Sequence, residues 1–343
     1  MSAACAYCLK PEAGLKCGQC QRRSYCSRKC QKADWNPRSK GGQGQGHRNW
    51  CSLKSGEEGK DWKLVFISKE KGMGIRALRP FARNERIMVE RLFTLQECLD
   101  VVEKGGQLAN ELLNLAPKNS SDLAEKFELN HVLKGNEGME ALGLRLSRLN
   151  HSCFPNALHQ WEPAQDVKLV LANQEIAAGE EICISYTQVL DPANHRPTSD
   201  PNVAAKVLLD KWSITCPPTC RCKDAALLAK VKKARDMDDS VVKLARMRQP
   251  KRALKMVKSL IQLLEEIGAP EVTICRALYD GFQVAVSSQA LMSEAHDFMR
   301  RNLDSITEML GENSETAKEY RRYLNDPSTN SAYLRADMPC PVS

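Results

Sequence analysis

No run of about 18 apolar residues occurs in this 343-residue chain, which leaves no candidate for a membrane-spanning helix. The opening Met-Ser-Ala-Ala-Cys lacks a charged head followed by an apolar stretch, so no secretory signal is expected. Aromatic residues make up 6% of the chain, too few for a platform that stacks nucleic-acid bases. Cysteine is abundant instead. Fifteen thiols without a secretory signal point to a reducing compartment and to metal-bound or free thiols. The expectation is an intracellular protein, nuclear, cytoplasmic or both, with no membrane partner. Two or three domains and a sizeable core are expected at this length.

The net charge of +8 is unevenly spread. Residues 1–54 carry eleven Lys/Arg against two Asp/Glu, and residues 223–258 carry twelve against four, which leaves the remainder at −9. A basic module beside an acidic centre could hold nucleic acid or an acidic partner while the centre takes a basic peptide. A solvated surface explains the same pattern and is favoured over dedicated nucleic-acid binding.

Eight potential zinc ligands fall within the first 51 residues. Cys5/Cys8 and Cys17/Cys20 are C-x2-C pairs, Cys26/Cys30 is C-x3-C, and His47/Cys51 is H-x3-C. Two tetrahedral Zn2+ ions need eight such ligands. The alternation of pairs suits an interleaved arrangement. One ion is assigned to Cys5, Cys8, Cys26 and Cys30, the other to Cys17, Cys20, His47 and Cys51. This order, with the runs SYCSRKCQKADW (Ser24 to Trp35) and HRNWC (His47 to Cys51), resembles a MYND zinc finger. The resemblance implies a module, residues 1–54, that binds a short proline-containing peptide.

Residues 52–60 read as a linker, and Trp62 to Glu70 reads as a strand. Lys71 to Glu90 gives a glycine turn and two further strands. Helical spacing takes over across about 94–140, and strand patterns return from Leu142 to Tyr186. Residues 187–205 look like an exposed loop, and helices follow beyond Cys222. Those helices, over 223–325, look like a tetratricopeptide-type bundle, although no clean 34-residue period is found. Residues 326–343 are expected to be a loosely held tail.

Three segments carry the chemistry: GMGIRA (Gly72 to Ala77), SRLNHSCFPNA (Ser147 to Ala157) and AAGEEICISY (Ala177 to Tyr186). Glycines at a strand end usually mean only a turn. NHSCFPN differs, being too polar for a core and too rigid for a linker. In this order and spacing the segments look like a SET domain, here 60–215. With the finger, the chain resembles the SET–MYND family of protein lysine methyltransferases.

That resemblance implies an α+β fold: a MYND finger, a β-rich SET domain with a pseudoknot and a helical insert, a zinc-binding post-SET segment over 216–222, and a C-terminal helical bundle. It implies S-adenosyl-L-methionine (AdoMet) on one face and a substrate lysine entering by a channel from the other. Lys71, Gly72, Met73 and Gly74 would lie along AdoMet, and Asn150 and His151 would hold it through side chain and main chain. Asn130, in KFELNH, matches a further cofactor-contacting asparagine. Tyr186 would stand at the point of methyl transfer, catalytic and in contact with the cofactor. Phe154 and Trp212 would line the channel. Cys216, Cys220 and Cys222 are one thiolate short of a closed zinc site, and the resemblance supplies Cys153, making three Zn2+ in all. Cys98, Cys183, Cys275 and Cys340 read as structural thiols.

The chain departs from the family pattern in four respects. The finger precedes an uninterrupted SET domain. Met73 stands between the two glycines where a polar residue is common. The post-SET spacing is C-x3-C-x-C. Ile214 occupies a position where an aromatic commonly packs on the adenine and is counted with the cofactor contacts. The expected activity is AdoMet-dependent methylation of a lysine side chain in a histone or another protein, by a monomer. The alternative is a non-catalytic scaffold or co-regulator that binds proline-containing peptides. A DNA-binding regulator using the basic patches ranks third and predicts steep salt dependence.

Overall fold

In the computed structural model, the described residues are 5–8, 10, 13–21, 23–35, 47–49, 51, 53, 55–117, 119–134, 138–163, 165–191 and 200–338. The readings made for Cys340 and for residues 192–199 lie outside them. The chain divides into two units, Met1–Ser185 and Tyr186–Ser343.

The first unit begins with the finger. Strands β1 (Leu15–Lys16) and β2 (Ser24–Tyr25) pair antiparallel, and α1 (Arg28–Trp35) follows. Its buried cluster is Cys5, Ala13, Cys17, Tyr25 and Cys51, so the interior is largely thiol. So few apolar atoms cannot offset the chain entropy of folding unless metal bonds contribute. Beneath the cluster, Arg23 grips Asp34 through Nε (2.7 Å) and Nη2 (2.9 Å), and Tyr25 donates to the same carboxylate at 2.6 Å.

Two small sheets come next. Strands β3 (Trp62–Ser68) and β4 (Gly72–Ala77) form a hairpin that turns at Gly72, whose φ of +68° favours glycine. Their sheet runs β3-β4-β11-β8, where β8 is Asn150–His151 and β11 is Glu181–Ile184. The other sheet has the order β5-β10-β9, with β5 at Arg86–Glu90, β9 at Ala157–Glu162 and β10 at Val167–Ala172. All six residues of the central strand β10 are buried, which its near-continuous apolar run anticipates.

Between β5 and β8 lies the helical insert: α2 (Leu95–Lys104), α3 (Gln107–Leu113) and α4 (Leu123–Asn130). Thr94 and Glu97 form a capping box at the start of α2, and Asp122 caps α4. Cys98, Leu112, Leu115, Leu123 and Phe127 make the insert's own core. The helical pattern does not reach residue 140. His131 adopts extended backbone (ψ 155°) at the end of α4, and a hairpin of β6 (Val132–Lys134) and β7 (Met139–Ala141) closes the insert.

The second unit is helical. Asp200 caps α5 (Pro201–Trp212), so the stretch read as loop to residue 205 turns helical at Pro201. Proline at the first helical position and an acceptor just before it start a helix as readily as they mark a loop. Then come α6 (Ala225–Arg246), α7 (Pro250–Ile267), α8 (Glu271–Val286), α9 (Met292–Leu310) and α10 (Glu315–Asn325). They bury one apolar stripe each, including Val231, Val257, Leu264, Leu278, Phe282 and Met299. The expected loose tail is held as far as residue 338. Asp337 accepts from Ser288 Oγ (2.9 Å) and Gln289 N (2.6 Å), and Arg248 donates to Met338 O (2.6 Å).

Candidate metal centres and cofactor site

The finger's eight ligands converge as two groups of four, each with its ligand atoms within 4.8 Å of one another. In the first, Cys8 Sγ lies 3.5 Å from Cys26 and 3.7 Å from Cys30, and Cys26 lies 3.5 Å from Cys30. Cys5 completes it. In the second, Cys17 and Cys51 are 3.8 Å apart, and Cys20 Sγ is 3.4 Å from His47 Nε2. Sulfurs about 2.3 Å from a tetrahedral Zn2+ stand about 3.8 Å from each other, so both groups fit the ion. Burial, and then the Arg23 charge, lower the His47 pKa to about 4, which keeps the imidazole neutral as a ligand must be. The β1–β2 hairpin and α1 interleave the pairs as the spacing indicates.

The three motif segments also meet. Strand β8 lies parallel to β11, with Asn150 opposite Cys183 and His151 opposite Ile184, and Ser152 N donates to Ile184 O at 2.8 Å. Strand β4 flanks β11 on its other side. Asn150 Nδ2 therefore reaches across to Met73 O (3.3 Å) and to Glu181 Oε1 (2.8 Å), and Lys71 Nζ pairs with Glu181 Oε2 at 2.7 Å. Gly74 leaves room for this packing. A Cβ there would stand 2.6 Å from Ile67 Cγ1, 2.7 Å from Asn150 Nδ2 and 3.1 Å from Glu181 Oε1. The Glu181 hydrogen bond raises the Lys71 pKa, so the ammonium persists.

His151 is neutral, its pKa lowered to about 4 by burial and then by the Lys71 charge. Its Nε2 lies 3.1 Å from the sulfur of the buried Cys153. Phe154 is half-buried beside them. Asn130 ends α4 within the insert. Its Nδ2 donates to Ala116 O and Lys126 O, both at 2.7 Å, inside the insert, leaving only Oδ1 for a ligand.

Sequence reading missed Asn156 and Glu181. Asn156 is buried and bonds three ways: Oδ1 accepts from Cys183 N (2.8 Å), and Nδ2 donates to Glu181 O (2.8 Å) and Glu180 Oε1 (2.9 Å). It stitches the NHSCFPN loop to β11. The signal was a second asparagine in a compact polar loop; its partners could not be read from one dimension.

In the second unit, Tyr186 and Trp212 stack obliquely, ring centroids 4.9 Å apart and planes at 49°. Ser213, in left-handed backbone (φ 57°), ends α5 and turns the chain toward half-buried Ile214. Cys220 and Cys222 have sulfurs 3.2 Å apart, and Lys223 Nζ donates to Cys216 O at 2.8 Å. All three thiols are half-buried.

A SET-domain family model matches residues 72–187, and a MYND-finger model matches residues 5–51. A zinc finger with eight interleaved ligands followed by this β-rich domain defines the class. These two matches, with the similarity to named lysine methyltransferases, support the SET–MYND methyltransferase family. Among its relatives is a histone-lysine N-methyltransferase set5 of Schizosaccharomyces pombe, 27% identical over 293 residues, covering 79% of this chain and 85% of that one. N-lysine methyltransferase SMYD2 of Homo sapiens is 26% identical over 291 residues, covering 76% and 58%. The Xenopus laevis SMYD2-B is 27% identical over 219 residues, covering 56% and 46%. The chain thus spans about half the length of the SMYD2 relatives.

Proposed function

We propose that the chain is an AdoMet-dependent protein-lysine N-methyltransferase. The observation that carries this reading is the junction of Met73, Gly74, Asn150 and Glu181, which ties all three motif segments together. The names of its relatives, lysine methyltransferases, point the same way. AdoMet, when bound, supplies an electrophilic methyl group on a sulfonium. The residues fit its charged end: Lys71 is a held cation, and Asn150 Oδ1 accepts no hydrogen bond among the described residues.

Methyl transfer is an in-line displacement that needs a neutral lysine amine held at near-attack distance. A free lysine has a pKa of about 10.4, so the site must favour the neutral form. A dry channel depresses that pKa without any acidic base. In this reading Trp212 backs the Tyr186 ring and holds its hydroxyl at the transfer point, while Phe154 and Ile214 border the bound ligands. Cys216, Cys220 and Cys222 would hold a third Zn2+, with Cys153 as the fourth ligand that the family resemblance implies. The finger binds a proline-containing peptide of a partner or substrate.

The scaffold alternative leans on Met73 and Ile214. What Met73 offers here is its backbone carbonyl, which any residue supplies, so that departure loses weight. The test is transfer of radiolabelled methyl from AdoMet into a cell extract, wild type against Tyr186→Phe. A band that depends on Tyr186 supports the enzyme. No label from protein with full zinc content favours the scaffold.

A further inference from the structure

We propose that Glu181 is a positioning residue that sets the ligand preference of Asn150 and so recognises the amino-acid end of AdoMet; this rests on reading the site as an AdoMet site. A primary amide has two faces, one donating and one accepting, and which face meets a ligand depends on what engages the other. Glu181 Oε1 and Met73 O are both acceptors, at 2.8 Å and 3.3 Å from the Asn150 amide. Only the NH2 group can meet two acceptors, so the orientation follows from chemistry rather than from atom labelling. Both amide hydrogens are thereby used, and Oδ1 remains as an acceptor. An acceptor selects a donor, which in AdoMet is the α-ammonium.

The other carboxylate oxygen of Glu181 holds Lys71 Nζ at 2.7 Å. A fixed cation and a fixed acceptor side by side complement a zwitterion, the cation for its carboxylate and the acceptor for its ammonium. Glu181 is only 15% exposed in its side chain, against 48% for Lys71, so the carboxylate is the anchored partner. The absent Cβ of Gly74 lets this cluster lie directly on the β4 backbone. The neighbouring Glu180 does different work. Its oxygens accept from Asn156 Nδ2 (2.9 Å) and Ala177 N (3.0 Å), bracing the turn before β11.

The test is calorimetric binding to the full-length protein of AdoMet and of 5′-methylthioadenosine, which has the adenosine and thioether but no amino-acid end. Glu181→Ala is expected to weaken AdoMet about tenfold or more while leaving 5′-methylthioadenosine within about twofold. Glu181→Gln, which keeps an acceptor for Asn150 but no charge for Lys71, should fall between; it carries the comparison if the alanine variant does not fold. AdoMet affinity within about twofold of wild type in both variants would overturn the proposal. So would equal weakening of both ligands, which would mean that Glu181 merely holds the fold. If folded, zinc-loaded wild type binds no AdoMet, the cofactor reading fails and this inference falls with it.

Discussion

At the scale of single residues, the candidate site depends on what backbone and side chains leave room for. Gly74 is legible in the sequence as half of a glycine pair, but its reason is not: Ile67, Asn150 and Glu181 occupy the space a Cβ would need. Gly74→Ala is therefore expected to cost about 1–3 kcal/mol, read as a lowered urea midpoint, because the crowding atoms belong to packed side chains. An unchanged midpoint would mean that the cluster relaxes freely. Lys168 makes a second case. It is 6% exposed on β10, its Nζ donating to Leu133 O at 3.0 Å, and burial lowers its pKa to about 8. The unfolded chain then binds more protons between pH 8 and roughly 10.4, so this group makes stability rise with pH across that window. Lys168→Met should gain about 1–2 kcal/mol at pH 7, with the gain shrinking toward pH 10. Urea midpoints of both proteins at the two pH values check the sign, and a gain independent of pH would refute it. No pattern in VKLVLA distinguishes a buried lysine from one that reaches solvent.

At the scale of elements, the finger and the helices stand on different forces. The finger's core is chiefly thiols, and its fold is expected to be lost when a chelator removes the metal. The helices α6–α10 bury a continuous apolar stripe and need no metal for it. Limited trypsin digestion with a chelator should cut within residues 1–54 while fragments spanning 225–325 persist. Simultaneous digestion of both would count against this division. Within the bundle, Phe282 is 1% exposed and stacks on Tyr323 at 5.8 Å. Phe282→Ala is expected to cost the bundle about 3–5 kcal/mol, measured by far-ultraviolet circular dichroism during urea unfolding, with the zinc content of the finger unchanged. Strand and helix periods predicted most of these elements. The β6–β7 hairpin and α5 escaped because short elements follow their caps and turns more than any period, and His131 and Asp200 are ordinary polar residues until their backbone is seen.

At the scale of the whole molecule, the metal count is the sharpest quantity. Two ions follow from the finger's two ligand sets. The third depends on Cys216, Cys220 and Cys222 with Cys153. Native mass spectrometry should find three Zn2+ in the wild type and two in Cys220→Ser; two in both would remove the third site. The ligand sets of the finger were readable from spacing alone, because metal coordination demands fixed residue types at short, fixed intervals. The order of the three motif segments was readable as well, and with it the likeness to a SET domain. Which side chains join those segments was not. Asn150 meets Glu181 across 31 positions of chain, and such a contact exists only once β8 and β11 lie side by side. Sequence therefore determined the ligands and the class of this protein, since both are written in local spacing. Tertiary structure alone decided how Asn150 and Lys71 share the Glu181 carboxylate, because sheet pairing brings together residues that no local pattern relates.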